Sequence, residues 1–110
     1  MNTIELNKQS TTNQIKEYFN IVLNLTKSNE EFPVNLREVW MLEYSTKGNA
    51  SKALLKDFMQ DVDYQVIIQN DKNLNGGRPV NIYKLSTSCL EYFIVRKNRD
   101  VFNVYREVFH

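Results

Sequence analysis

Two runs rich in β-branched and aromatic residues interrupt a chain whose other apolar residues recur at helical spacing. The first, Tyr64 to Ile68, opens after Asp63, and the second runs from Val80 to Leu85. Both read as strands, because such side chains fit a pleated, half-buried surface. Between them, Gln69 to Pro79 holds Asn70, Asp71, Asn73 and Asn75 and then Gly76-Gly77-Arg78-Pro79. That connection is too long for a two-residue hairpin turn, and its residues favour an extended tip. The pattern predicts one antiparallel two-stranded hairpin in a mainly helical α+β chain.

Helical signals lie on both sides of the hairpin. Thr11-x-x-Gln14 has capping-box spacing, and Ile15, Tyr18, Phe19 and Val22 follow at i, i+3, i+4 and i+7, so the first helix begins here. It ends at Lys27-Ser28-Asn29. Pro33 then stops the chain, and Asn35 is placed to cap a second, short helix with Glu38 at its third position and Val34 and Val39 at staple spacing. Leu36, Val39 and Trp40 face inward on this reading. Ser45-Thr46-Lys47-Gly48-Asn49 reads as a turn with Gly48 at positive φ and Asn49 capping a third helix over 50–59, whose buried stripe is Ala50, Ala53, Leu54 and Phe58. Past the hairpin, Ser88-x-x-Glu91 offers another capping box ahead of Leu90, Phe93 and Ile94. A break near Asn98 precedes the cleanest amphipathic run, Val101, Val104, Tyr105 and Val108.

Two short helices joined by a tight turn and followed by a long-tipped hairpin predict a winged-helix-like domain. The chain then divides into a flexible N-terminus over 1–10, an added helix and linker over 11–31, and the domain proper over 32–110. The apolar faces around Phe19, Val104, Tyr105 and Val108 exceed what one small core needs, which predicts a homodimer through them or a chain that continues.

Composition bounds the function. At 110 residues and 42% apolar, the chain is long enough for one unstapled core. Cys89 is the only cysteine, which rules out an intrachain disulfide and a CxxC pair and fits a reducing, cytoplasmic setting. No run approaches the roughly 18 apolar residues of a membrane span, so a soluble protein is expected. Net charge is +1, from 14 Lys and Arg against 13 Asp and Glu. Such a balance argues against binding driven by bulk electrostatics and leaves room for a local basic face.

Catalytic constellations fail on inventory. His110 is the only histidine and stands at the end of the sequence, so a Ser/His/Asp or Cys/His arrangement would depend on an anchored last residue. Asp61 and Asp63 lack further ligands and read as capping or turn residues. Gly76-Gly77 leads into Pro79 and a strand instead of a helix start with Lys-Ser or Lys-Thr, so it is no phosphate cradle. No enzyme activity, cofactor or metal is expected. Binding chemistry is better supplied. On the third helix and the turn before it, Lys47, Lys52 and Lys56 suit phosphates while Asn49 and Ser51 suit base edges, and Arg78 at the hairpin tip suits a minor groove or a phosphate. The bland reading of the same residues is a solvated helix face and a surface arginine.

These motifs also carry a resemblance. Phe32-Pro33-Val34-Asn35-Leu36-Arg37-Glu38-Val39-Trp40, Asp63-Tyr64, Gly76-Gly77-Arg78-Pro79, Tyr83-x-Leu85-Ser86 and Asn103-Val104-Tyr105-Arg106-Glu107-Val108-Phe109 resemble, in order and spacing, the AntA/AntB type of phage antirepressor domain. They are similar also to the N-terminal domains found beside Bro-N and KilA-N modules of large DNA viruses. The resemblance covers 32–110. It implies a viral or prophage regulatory domain that binds double-stranded DNA, with Arg78 as a DNA contact and Arg37, Asp63, Tyr64, Gly76, Gly77, Pro79 and Tyr83 as scaffold. A protein-binding antirepressor that engages a repressor without DNA affinity, and a phage assembly adaptor, are the other functions it admits.

Overall fold

The computed structural model describes residues 5–70 and 79–110. In chain order they form α1 (Thr12–Lys27), β1 (Val34–Asn35), α2 (Leu36–Val39) extended by a 3-10 turn Trp40–Leu42, α3 (Lys47–Asp57), β2 (Tyr64–Asn70), β3 (Pro79–Leu85), α4 (Thr87–Phe93), a 3-10 turn Val95–Lys97, and α5 (Arg99–Phe109). The mainly helical α+β class is as the residue pattern predicts. The sheet has three strands in the order β1-β3-β2, all antiparallel, where the sequence reading has a two-stranded hairpin. The added strand is two residues long. Val34 lies opposite Leu85 and Asn35 opposite Lys84, a pairing set by a distant segment, to which no local periodicity points.

Several helix ends follow from their capping residues. Thr11 Oγ1 accepts from the Gln14 N–H at 3.2 Å while Gln14 Oε1 accepts from the Thr11 N–H at 2.8 Å, the reciprocal box expected from the spacing. At the other end of α1, Asn29 adopts φ 67°, and the N–H groups of Asn29 and Glu30 donate to the carbonyls of Thr26 and Leu25. This is a Schellman ending with asparagine in the left-handed position. Asn35 caps α2 by accepting from the Arg37 N–H, and Asn98 caps α5 by accepting from Asp100 and Val101.

Two caps differ from the expectation. Thr46, not Asn49, caps α3, accepting from the Asn49 N–H at 3.1 Å, so Gly48 sits inside the first turn and not in a positive-φ turn. Ser86, not Ser88, caps α4, accepting from the Cys89 N–H at 3.1 Å, and Glu91 pairs with Arg96 at 2.8 Å instead of closing a box. In both cases the earlier of two polar residues wins. Starting there leaves Ala50, Cys89 and Leu90 buried in the first turns.

One core runs through all the layers. The outward turn of α5 leaves Val101, Val104 and Tyr105 facing α1, where Ile15, Tyr18, Phe19 and Val22 meet them, and all seven are buried. Phe19 is 0% exposed, with ring centroids of Tyr105 and Phe109 at 5.5 and 6.2 Å. The proposed dimer seam is therefore corrected. Phe19, Val104 and Tyr105 are spent inside one chain, and Val108 packs half-buried against the same core. The apparent surplus arose from placing the first helix outside the domain. The flexible reading of 1–10 is corrected at Leu6, which is buried and whose N–H donates to the Glu38 carbonyl at 2.8 Å. On the other side of the core, Phe93 holds Tyr44 and Phe58 at centroid distances of 5.4 and 5.3 Å. Trp40 and Phe58 are partly buried against the core, which matches their inward placement in direction and not in depth.

Candidate nucleic-acid interface

The outward face of α3 follows from what the helix buries. Ala50 and Leu54 are fully buried and Ala53 partly so, and at 3.6 residues per turn the opposite direction is taken by Gly48, Lys52, Leu55 and Lys56, with Asn49 at its margin. All five are exposed, as is Lys47 at the helix start. Lys52 and Lys56 thus share one free face, while Lys47, seven residues before buried Leu54, lies on the other side of the helix at its exposed first turn. Among the described residues, the ion pairs are Lys16 with Glu107 and Glu91 with Arg96, so none of Lys47, Lys52 and Lys56 is neutralised by a carboxylate there.

The other site residues expected from the sequence divide. Asn49 has its backbone N–H held by Thr46 and its side chain exposed, so the amide stands free of the capping duty assigned to it. Ser51 is half-buried, and its hydroxyl donates to the Lys47 carbonyl at 3.0 Å. That bond ties Ser51 back to its own helix and takes it off the reading face. Arg78, with the glycines beside it, lies outside the described residues.

The unforeseen β1 strand adds a residue. By pairing with β3 it brings Asn35 and Arg37 beside the hairpin, where Arg37 and Lys47 flank a groove of about 230 Å³ whose far wall is Asn81, Ile82 and Tyr83. Arg37 is exposed. The resemblance assigns it to the scaffold; its phase, one residue past buried Leu36 and two before buried Val39, points it outward. The groove joins the start of α3 to the hairpin through Lys47, and Lys52, Leu55 and Lys56 lie outside it.

The hairpin reaches away from the core along its own length. Tyr64 and Leu85 at its base are buried, Val66 and Tyr83 are partly covered, and Ile68 farther out is 67% exposed beside Asn81. Ile67 and Val80 on the opposite face are also exposed.

Elsewhere the chemistry is quiet. Cys89 is buried, and burial, with a smaller contribution from Asp63, pushes its thiol up to about 12, so it stays protonated at neutral pH. The Tyr18 hydroxyl donates to Glu38 at 2.9 Å, fastening α1 to α2, and burial followed by the Glu38 charge holds its pKa well above the ordinary tyrosine range. Among the described residues, no group of three His, Cys, Asp or Glu side chains is arranged to hold a metal ion, and no helix is long and apolar enough to cross a membrane.

Comparison with known proteins found no matching family model, no similar curated protein and no similar solved structure.

Proposed function

We propose that this chain is a DNA-binding regulatory domain of the winged-helix kind, in which α3 enters the major groove and the β2–β3 hairpin lies along the adjacent backbone. The observation that carries this reading is that Arg37 and Lys47, at the exposed start of α3, share a groove with a projecting hairpin, while Lys52 and Lys56 extend the unpaired cations along the same helix. The element order supports it. A helix, a short edge strand, two helices joined by a turn, and a hairpin whose second strand pairs with that edge strand is the connection a winged helix-turn-helix uses to present its recognition helix. The sequence motifs similar to antirepressor domains point the same way. The near-neutral net charge fits a small footprint of a few phosphates better than a long basic tract.

Gly48 provides a test with opposite signs. Its φ is not positive and a Cβ there would meet nothing within 4 Å, so the fold does not require glycine. Gly48→Ala should raise stability by up to about 1 kcal/mol, because glycine is the poorer helix former. On the DNA-facing side the added methyl stands where the groove wall approaches, so the same change should weaken duplex binding about threefold or more. Thermal melts and fluorescence anisotropy on one preparation read both. Higher stability with unchanged duplex binding would take the first turn of α3 out of the interface.

One observation favours a protein partner instead: the exposed Ile67, Ile68 and Val80 make the hairpin more apolar than phosphate contact needs. On that reading the hairpin docks on a repressor, and α3 is a solvated face with no affinity for duplex DNA.

A further inference from the structure

We propose that the outer edge of β2 pairs antiparallel with β2 of a second copy of this chain, on a two-fold axis through Ile67. This pairing stands whether or not the domain binds DNA. In the strand order β1-β3-β2 the last strand is an edge, and its seven residues, YQVIIQN, hold neither a charge nor a proline. Sheet edges are ordinarily blunted by one of these, because their free N–H and C=O groups recruit other strands. The hairpin's other edge is blunted: β3 begins at Pro79, is paired at its far end by β1, and has Arg37 and Lys47 beside it. At the base of β2 the outer edge is closed as well, since the Asp61 N–H donates to the Tyr64 carbonyl at 2.6 Å. The open stretch is Gln65 to Gln69, where Ile67 and Ile68 are 43% and 67% exposed.

The order of residues along that stretch identifies its occupant. Gln65-Val66-Ile67-Ile68-Gln69 has the same character in both directions: amide, β-branched, isoleucine, β-branched, amide. Laid antiparallel on itself about Ile67, it sets Gln65 against Gln69, Val66 against Ile68 and Ile67 against its own copy, so like meets like at every cross-strand pair. Charge agrees, since a symmetric seam brings each of its charges close to that charge's copy, and this seam carries none. The backbone phase agrees too. The Ser86 N–H donates to the Asp63 carbonyl at 2.9 Å while the Tyr64 carbonyl is taken on the outer side, so odd-numbered residues of β2 turn towards β3 and even-numbered ones outward. Val66 and Ile68 therefore present the free groups, and the register that matches the side chains lets each Val66 exchange both hydrogen bonds with Ile68 of the other copy. The pairing covers Ile67 on one face of the sheet and Ile68 on the other. A seam of five residues a side is smaller than a standard interface of roughly 800 Å² per partner, so the dimer is a weak one.

Sedimentation of the chain without DNA, between about 10 μM and 1 mM, should show a monomer giving way to a dimer and to nothing larger. Ile67→Lys sets two ammonium groups against each other on the axis, and should stay monomeric throughout while melting like the parent at low concentration. Cysteine variants read the register. Ile67→Cys stands at a non-hydrogen-bonded pair, where Cα atoms lie about 4.5 Å apart, within reach of a disulfide, so mild oxidation should link it into a covalent dimer. Ile68→Cys should stay unlinked, because its own copy lies on the diagonal at about 7–8 Å, too far to bridge. The parent, whose Cys89 is buried, is the blank. A parent that remains monomeric at the highest concentration overturns the proposal and leaves the edge to a different protein. Linkage of Ile68→Cys as fast as Ile67→Cys, or growth into species larger than a dimer, overturns the two-fold register. No arm contains DNA, so the duplex-binding proposal stands or falls separately.

Discussion

Phe19→Ala should lower the free energy of unfolding by roughly 3–5 kcal/mol, the range for emptying a buried phenylalanine site. The ring is 0% exposed and touches aromatic neighbours from two helices, with Tyr18 at 6.2 Å, Tyr105 at 5.5 Å in an edge-on arrangement and Phe109 at 6.2 Å. Tyr105 and Phe109 stack on each other at 4.5 Å, so they are held in place and cannot easily collapse into the space left behind. A loss of that size is a large share of the roughly 5–15 kcal/mol available to a domain. Urea unfolding should show a much lower midpoint with little change in slope. Trp40→Ala and Phe58→Ala should cost less, because both rings are only partly buried. A Phe19→Ala protein that unfolds like the parent would detach α1 from the core and restore the idea that its apolar face belongs to another molecule.

The second large effect concerns binding. Replacing Lys47, Lys52 and Lys56 together with alanine should reduce duplex affinity at low salt by roughly a hundredfold and flatten the salt dependence by about three in the log-log slope, near one for each lost phosphate contact. All three side chains are exposed and unpaired among the described residues, and alanine suits a helix surface, so the melting temperature should hardly move. Separation of the two readouts is the point. A variant that melts normally but keeps full affinity and slope would show that α3 is a solvated face.

Legibility in the sequence tracked how local each determinant is. The box at Thr11 and Gln14, the cap at Asn35, the break at Asn98 and the stripe of α5 each rest on residues within one or two turns, and each stands where the spacing placed it. Gly48 misled because glycine next to Ser, Thr and Asn is turn chemistry; the helix nonetheless starts at Lys47, since burial of Ala50 and Leu54 outweighs one poor helix former. Burial of Leu6, with Ile4 as its one near apolar neighbour before a polar stretch, had too short a pattern to be read as periodic. The same division holds for the site. The phase of Lys52, Leu55 and Lys56 could be read from Ala50 and Leu54 alone. The place of Arg37 depended on β1 finding β3 some fifty residues along the chain, a pairing with no local signature.

The proposed role stands or falls on a titration of the unmodified chain against a mixed-sequence duplex at salt concentrations from about 50 to 200 mM. Binding by the α3 lysines and Arg37 predicts measurable affinity at the low end and a straight fall of log K with log salt, with a slope of about −3 or steeper. No binding at the lowest salt, or an affinity indifferent to salt, would contradict it and place the function of this surface with a protein partner.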